Sequence, residues 1–176
     1  MSSDNQLHKY SPSLRTLHWL MFVLIALTFI FIEFRSLFDK GTDERELMKL
    51  IHFTLGFSVF ILMLVRFIVR SQSTNKKAIS TVHPKVAAYI HLAFYGLFLL
   101  MPILGWLTLN AEGKDLVFLG LELPALINPN ESLAELFEET HETIGKILYL
   151  LITLHVLGAL FHHFVKKDQT INKMTS

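Results

Sequence analysis

The stretch ETHETIGKILYLLITLHVLG, residues 139–158, has the length and apolarity of a membrane-crossing helix, yet it carries two histidines, His141 and His155, fourteen residues apart. Imidazole at membrane depth is costly unless something uses it. On one helix, fourteen residues span about 21 Å and return to within about 40° of the same face. Both side chains therefore look into one interior, at two different depths.

The rest of the chain fits a membrane setting. It has 176 residues, of which 52% are hydrophobic, and a mean hydropathy of +0.45. That is the length of one domain but too apolar for an ordinary soluble one. With no cysteine, disulfides, thiolate-held iron–sulfur clusters and covalent C-x-x-C-H haem attachment are excluded. The opening MSSDNQLHKYSPSLR is polar, and no small-residue cleavage pattern follows it, so no cleavable signal is expected. A net charge of +1 gives no reason to expect nucleic acid.

Four segments reach the roughly 20 helical residues that a bilayer core requires: about 14–38, 47–69, 86–109 and 139–165. Lys and Arg set their orientation. Ten basic residues fall on the side of the termini (Lys9, Arg15, Arg66, Arg70, Lys76, Lys77, Lys85, Lys166, Lys167 and Lys173). The other side has six: Arg35, Lys40, Arg45, Lys49, Lys114 and Lys146. Both termini are therefore expected in the cytoplasm. Ser132 and Glu135 in NPNESLAEL form a capping-box pattern, which would start the fourth helix before the membrane. The expected fold is an all-α integral membrane protein, a single domain over 1–176 built as an antiparallel four-helix bundle.

The histidines sort by depth. His18 enters from the inside on span one, and His155 lies in the cytoplasmic half of span four. His52 and His141 both lie just inside spans that begin outside. The result is two depth-matched pairs on different helices, His52 with His141 and His18 with His155. Two imidazoles from facing helices are what a six-coordinate b-type haem needs for electron transfer. Gly56, Gly145 and Gly158 follow His52, His141 and His155 by three or four residues, one turn away on the ligand's face, where a missing side chain leaves room for a flat macrocycle. Zinc fits poorly, because a structural site gathers four ligands at one locus. His91 lies at cytoplasmic depth as a competing ligand, a neighbour of the inner pair or a quinone-site residue. Arg66, fourteen residues after His52, is placed either to meet a haem propionate or to snorkel with Arg70. Arg35 has Glu33, lipid phosphate or the outer haem within reach. His8 and His83 lie in polar segments and are expected to be solvated.

At this point LHWL (17–20), IEFR (32–35), LIHFTLG (50–56), LMLVR (62–66), HETIGKILYLLITLH (141–155) and HHF (162–164) resemble the bacterial cytochrome b561 family over nearly the whole chain. The likeness is greatest to its small, stand-alone, superoxide-oxidising branch. The resemblance implies a multi-pass protein of the bacterial inner membrane with two b haems held by His18, His52, His141 and His155. It implies oxidation of superoxide to dioxygen at the periplasmic side, with electrons passed to ubiquinone and no protein partner required.

On that reading the periplasmic cations Arg35, Arg45, Lys49 and Lys146 are candidates for steering an anion, although thirteen acidic residues share their side. His91, His162 and His163 are candidates for a quinone site, since histidine titrates near neutral pH. Two other readings stay open: a cytochrome b subunit serving a partner dehydrogenase or hydrogenase, and a haem-free membrane interaction protein.

Overall fold

The computed structural model describes residues 9–72, 84–168 and 170–175, with backbone only at 84–86. His8, His83, Lys76 and Lys77, and the side chain of Lys85, lie outside the described residues. Among the described residues the α-helices are four: α1 (Pro12–Phe34), α2 (Asp43–Gln72), α3 (Pro84–Ala111) and α4 (Glu131–Phe161). All four are long and apolar enough to cross a membrane. A 3₁₀ turn (Arg35–Leu37) extends α1, and a π turn (His162–Lys166) extends α4.

Local chemistry explains the helix starts. Ser11 Oγ accepts from Leu14 N at 3.4 Å, with Pro12 in the first turn of α1, where its missing N–H costs nothing. Thr42 Oγ1 accepts from Arg45 N at the start of α2. The cap of α4 is Asn130, whose side chain accepts from Leu133 N at 3.0 Å. It is not the Ser132–Glu135 pair; the helix does begin ahead of residue 139, with its cap two residues before that motif.

Between the ends, lipid dictates the surface. Leu92, Leu150 and Phe164 point outward, 68%, 60% and 67% exposed, because an apolar solvent leaves nothing to gain by hiding them. Hydroxyls inside the helices return to their own backbone: Thr28, Thr54, Ser58, Thr108 and Thr153 each donate to the carbonyl four residues back. A polar group without a partner is expensive in hydrocarbon.

The four helices pack as two hairpins, α1 with α2 and α3 with α4, joined where α2 meets α3. Among the described residues, no Cα of α4 comes within 8 Å of a Cα of α1 or α2. The bundle is therefore split by a gap, bridged at mid-depth by a small core of Met21, Val59, Met63, Phe98 and Leu148. At one end of the bundle the N- and C-terminal segments meet, Tyr10 N donating to Lys173 O at 3.3 Å; we call this the tail end. The opposite, loop end holds the α1–α2 turn and the α3–α4 connection. That connection folds into a short antiparallel hairpin, β1 (Val117–Phe118) with β2 (Leu121–Glu122), and is knotted by buried Asn110, which binds Lys114 O and Leu126 N.

Candidate functional site

The gap brings the histidines together in two pairs. At the loop end, the rings of His52 (α2) and His141 (α4) have centroids 6.2 Å apart. At the tail end, His18 (α1) and His155 (α4) are 6.4 Å apart. A metal–imidazole nitrogen bond is about 2 Å and the ring centre lies about 1 Å beyond the nitrogen, so two imidazoles sharing one metal have centres about 6 Å apart. Both pairs have that span. Among the described residues no three or more His, Asp or Glu gather closely enough to hold a metal ion alone. Each pair therefore suits two axial positions of a macrocycle and not a protein-only metal centre.

The space beside the loop-end pair fits as well. A cavity of about 600 Å³ is lined by His52, His141, Gly56, Gly105 and Gly145. His52 Nδ1 lies 2.9 Å from the Thr28 carbonyl. Donation there fixes the tautomer and leaves Nε2 with its lone pair, the usual orientation of a ligating histidine. His141 Nδ1 is buried with no partner in hydrogen-bond geometry; it faces the Met101 backbone of α3, more loosely than a hydrogen bond requires. A Cβ on Gly105 would sit 3.5 Å from His141 Cε1, so this glycine lets α3 back directly against the ring. Nothing in the sequence marks Gly105, because the histidine it backs lies on another helix. Gly56 and Gly145 do face the cavity, and a Cβ on either would meet only ordinary contacts at 4.0 and 3.7 Å. Around Gly158 there is open space.

The tail-end pair is packed differently. Phe94 stands edge-on to His155 at 5.4 Å, and Trp19 to His18 at 5.5 Å. Arg66 Nη1 donates to Leu14 O at 3.3 Å and faces His18, His91 and His155 electrostatically. His91 thus lies beside the inner pair, on α3. His162 binds Asp168 at 2.5 Å, and His163 lies against Phe164 at 4.8 Å; the structure places neither in a ring contact with His155.

The loop-end cations are largely engaged. Arg45 Nη1 donates to the Arg35 and Phe38 carbonyls at 3.0 and 2.8 Å, closing the end of α1. Lys49 pairs with Glu46 at 2.6 Å and Lys146 with Glu142 at 2.8 Å. Lys114 pairs with Glu112, and that hydrogen bond raises its ammonium above the ordinary range. Arg35 has no carboxylate within ion-pair distance among the described residues. It lines the cavity and faces His52.

Comparison with known proteins adds an independent finding. The family model for prokaryotic cytochrome b561 matches residues 9–176. Cytochrome b561 homolog 1 of Escherichia coli K12 is 33% identical over 174 residues, covering 96% of this chain and 97% of the relative. A protein named probable superoxide oxidase CybB, from Yersinia pestis, is 30% identical, covering 94% of this chain and 95% of the relative. Cytochrome b562 of Cereibacter sphaeroides is 26% identical, covering 90% of each.

Proposed function

The chain belongs to the prokaryotic cytochrome b561 family, multi-pass proteins of the bacterial inner membrane that carry electrons on b-type haem, and from that premise we propose that it is a superoxide:ubiquinone oxidoreductase with two haem sites. The haem-free reading falls with the family assignment. The observation that carries the proposal is the pair of matched histidine couples facing each other across the gap at 6.2 and 6.4 Å, about 21 Å apart along α4.

Bound haem supplies reversible one-electron chemistry at both depths. His52 and His141 would hold a haem iron at the loop end, His18 and His155 at the tail end. Thr28 holds the His52 ring in place by its carbonyl. Arg35 lines the loop-end cavity and is the cation placed there to attract an anion, whereas Lys49 and Lys146 are paired with carboxylates; local positive charge raises encounter rates with a small anion. Arg66, at the depth of the inner pair, is positioned to balance a propionate. Both termini lie in the cytoplasm, so the loop end meets the periplasm. The reaction balances as two superoxide anions giving two dioxygen molecules, their two electrons joining one ubiquinone and two protons to form the quinol. His91, His162 and His163 stand at the tail end, where those protons enter.

A superoxide flux applied to the oxidised, purified protein tests this. The expected result is growth of reduced b-type absorption bands, reoxidised by added ubiquinone. Bands that stay oxidised under superoxide, yet are reduced by a dehydrogenase or hydrogenase, would assign the chain to the electron-transfer-subunit reading instead.

A further inference from the structure

On the α1–α4 side of the loop-end cavity, Tyr149 Oη donates to Glu33 Oε1 at 2.8 Å. Phe29 of α1 packs on the Tyr149 ring with centroids 4.2 Å apart. Glu33 and Tyr149 line the same cavity as His52 and His141. Among the described residues this is the one hydrogen bond joining α1 to α4, two helices whose Cα atoms nowhere approach within 8 Å.

A carboxylate on a membrane helix is an expensive choice for a wall. An apolar pair would also cover the gap; Glu33 and Tyr149 do so with part of their surface exposed. A phenol–carboxylate hydrogen bond does something an apolar contact cannot: it has one geometry and one length, and it fixes the separation of two helices that ridge-into-groove packing does not hold. Side chains on a helix lean toward its N-terminus. In these antiparallel helices Glu33 and Tyr149 therefore lean toward each other, with Phe29 packed on the Tyr149 ring. Nearby, Lys146 pairs with Glu142 and Lys49 with Glu46, while Arg35 faces His52 and Glu142.

We propose that Tyr149 and Glu33 form a latch that closes the α1–α4 side of the loop-end site and retains the haem there. The pair supplies no axial nitrogen; it positions the two helices around the ligand. The inference rests on His52 and His141 being the axial ligands at that end. At the tail end no equivalent α1–α4 hydrogen bond exists among the described residues, so the effect of breaking the latch is specific to one haem.

The test uses the full-length holoprotein in detergent, with Y149F, E33L, E33Q and H141A variants. Haem loss to excess apomyoglobin is followed by absorbance, and the low-spin ferric signals of the two haems are resolved by electron paramagnetic resonance. Y149F and E33L each release one haem about ten-fold faster than the unaltered protein, the worth of one hydrogen bond to a charged group, and shift only that haem's signal. E33Q keeps an acceptor oxygen but loses its charge, so its release rate lies between the unaltered rate and that of E33L. Unchanged release in both Y149F and E33L overturns the latch, as does acceleration of both haems alike, which would mark general loosening. H141A separates the premise from the proposal: if it leaves both low-spin signals in place, the ligand assignment fails. If it removes one signal while Y149F changes nothing, only the latch fails.

Discussion

Two histidine pairs of nearly equal span sit in unlike surroundings. His52 and His141 border a cavity of about 600 Å³, with glycine on three helices, a carbonyl fixing one ring and Arg35 alongside. His18 and His155 are enclosed by aromatic edges from Trp19 and Phe94, with Arg66 braced on the first turn of α1 and the C-terminal segment folded nearby. Trp19 Nε1 donates to Met174 O at 2.9 Å, and Arg15 donates to the Thr175 carbonyl. The pair span sets what can bind, and it is shared; the surroundings set what can reach the site and how its charge is balanced, and they differ. The loop end has a cavity lined by a cation, Arg35; the tail end has aromatic edges and a guanidinium facing both rings.

The most severe way to break the comparison is to delete one ligand from each end. H141A should lose the loop-end haem and H155A the tail-end haem, each leaving half of the haem content of a two-haem protein, measured as pyridine haemochrome per chain. If either variant lost both, the two ends would be one cooperative site. Next in size is the core between them. Leu148 is 1% exposed and packs at mid-depth with Met21, Val59, Met63 and Phe98. Leu148→Ala should cost about 2–4 kcal/mol by opening a cavity, seen as a lower unfolding midpoint with both haem signals weakened together. Loss confined to one end would show that the core belongs to that end alone.

These contrasts were legible in the sequence to different degrees, for physical reasons. The four spans could be read because lipid demands long apolar runs with backbone bonds closed inside each helix. The pairing of His141 with His52 and of His155 with His18 could be read because helical period and rise convert spacing into face and depth. Features that depend on which helix backs which site could not. Gly105 matters through its contact with His141 on another helix, and the Glu33–Tyr149 bond links residues 116 apart. The β1–β2 turn was also hidden. Leu119 and Gly120 both take positive φ, 51° and 83°, as a two-residue primed turn requires, but leucine there gives no turn signal in the sequence. Asn130 and Ser132 both have capping chemistry, and only the packing of the connection, Asn130 N on Ala111 O at 2.9 Å, selects the first.

A smaller effect sharpens the electrostatic half of the comparison. Arg66→Met removes a positive charge facing His18 and His155. A nearby cation favours the reduced, less positive haem, so the tail-end midpoint potential should fall by roughly 50–100 mV for a charge about 8 Å away at an effective dielectric near 20. The loop-end potential should hardly move. A spectroelectrochemical titration that found both potentials shifted equally would mean that the charge is felt through the whole gap.

The smallest effect concerns the turn that carries the chain from α4 into the tail-end segment. Asp168 Oδ1 accepts from Thr170 N at 2.9 Å, and Oδ2 lies 2.5 Å from His162 Nδ1. Hydrogen bonding from Thr170, with a further contribution from His162, holds its carboxyl at about 2, below the ordinary 3.8. Because the folded value is the lower one, the stabilisation is fully present above about pH 4 and fades only as pH falls through about 2. The carboxyl of Asp168 itself should therefore add no pH dependence to the tail-end clasp between pH 5 and 7, where it stays ionised. Asp168→Asn, which imitates the protonated carboxyl, should speed amide hydrogen exchange across residues 167–175 by a few-fold at pH 7, because a neutral acceptor makes weaker hydrogen bonds than a charged one, and leave 114–126 at the loop end unchanged. Unchanged exchange across 167–175 in Asp168→Asn would show that the carboxylate's hydrogen bonds to Thr170 and His162 do not set the turn.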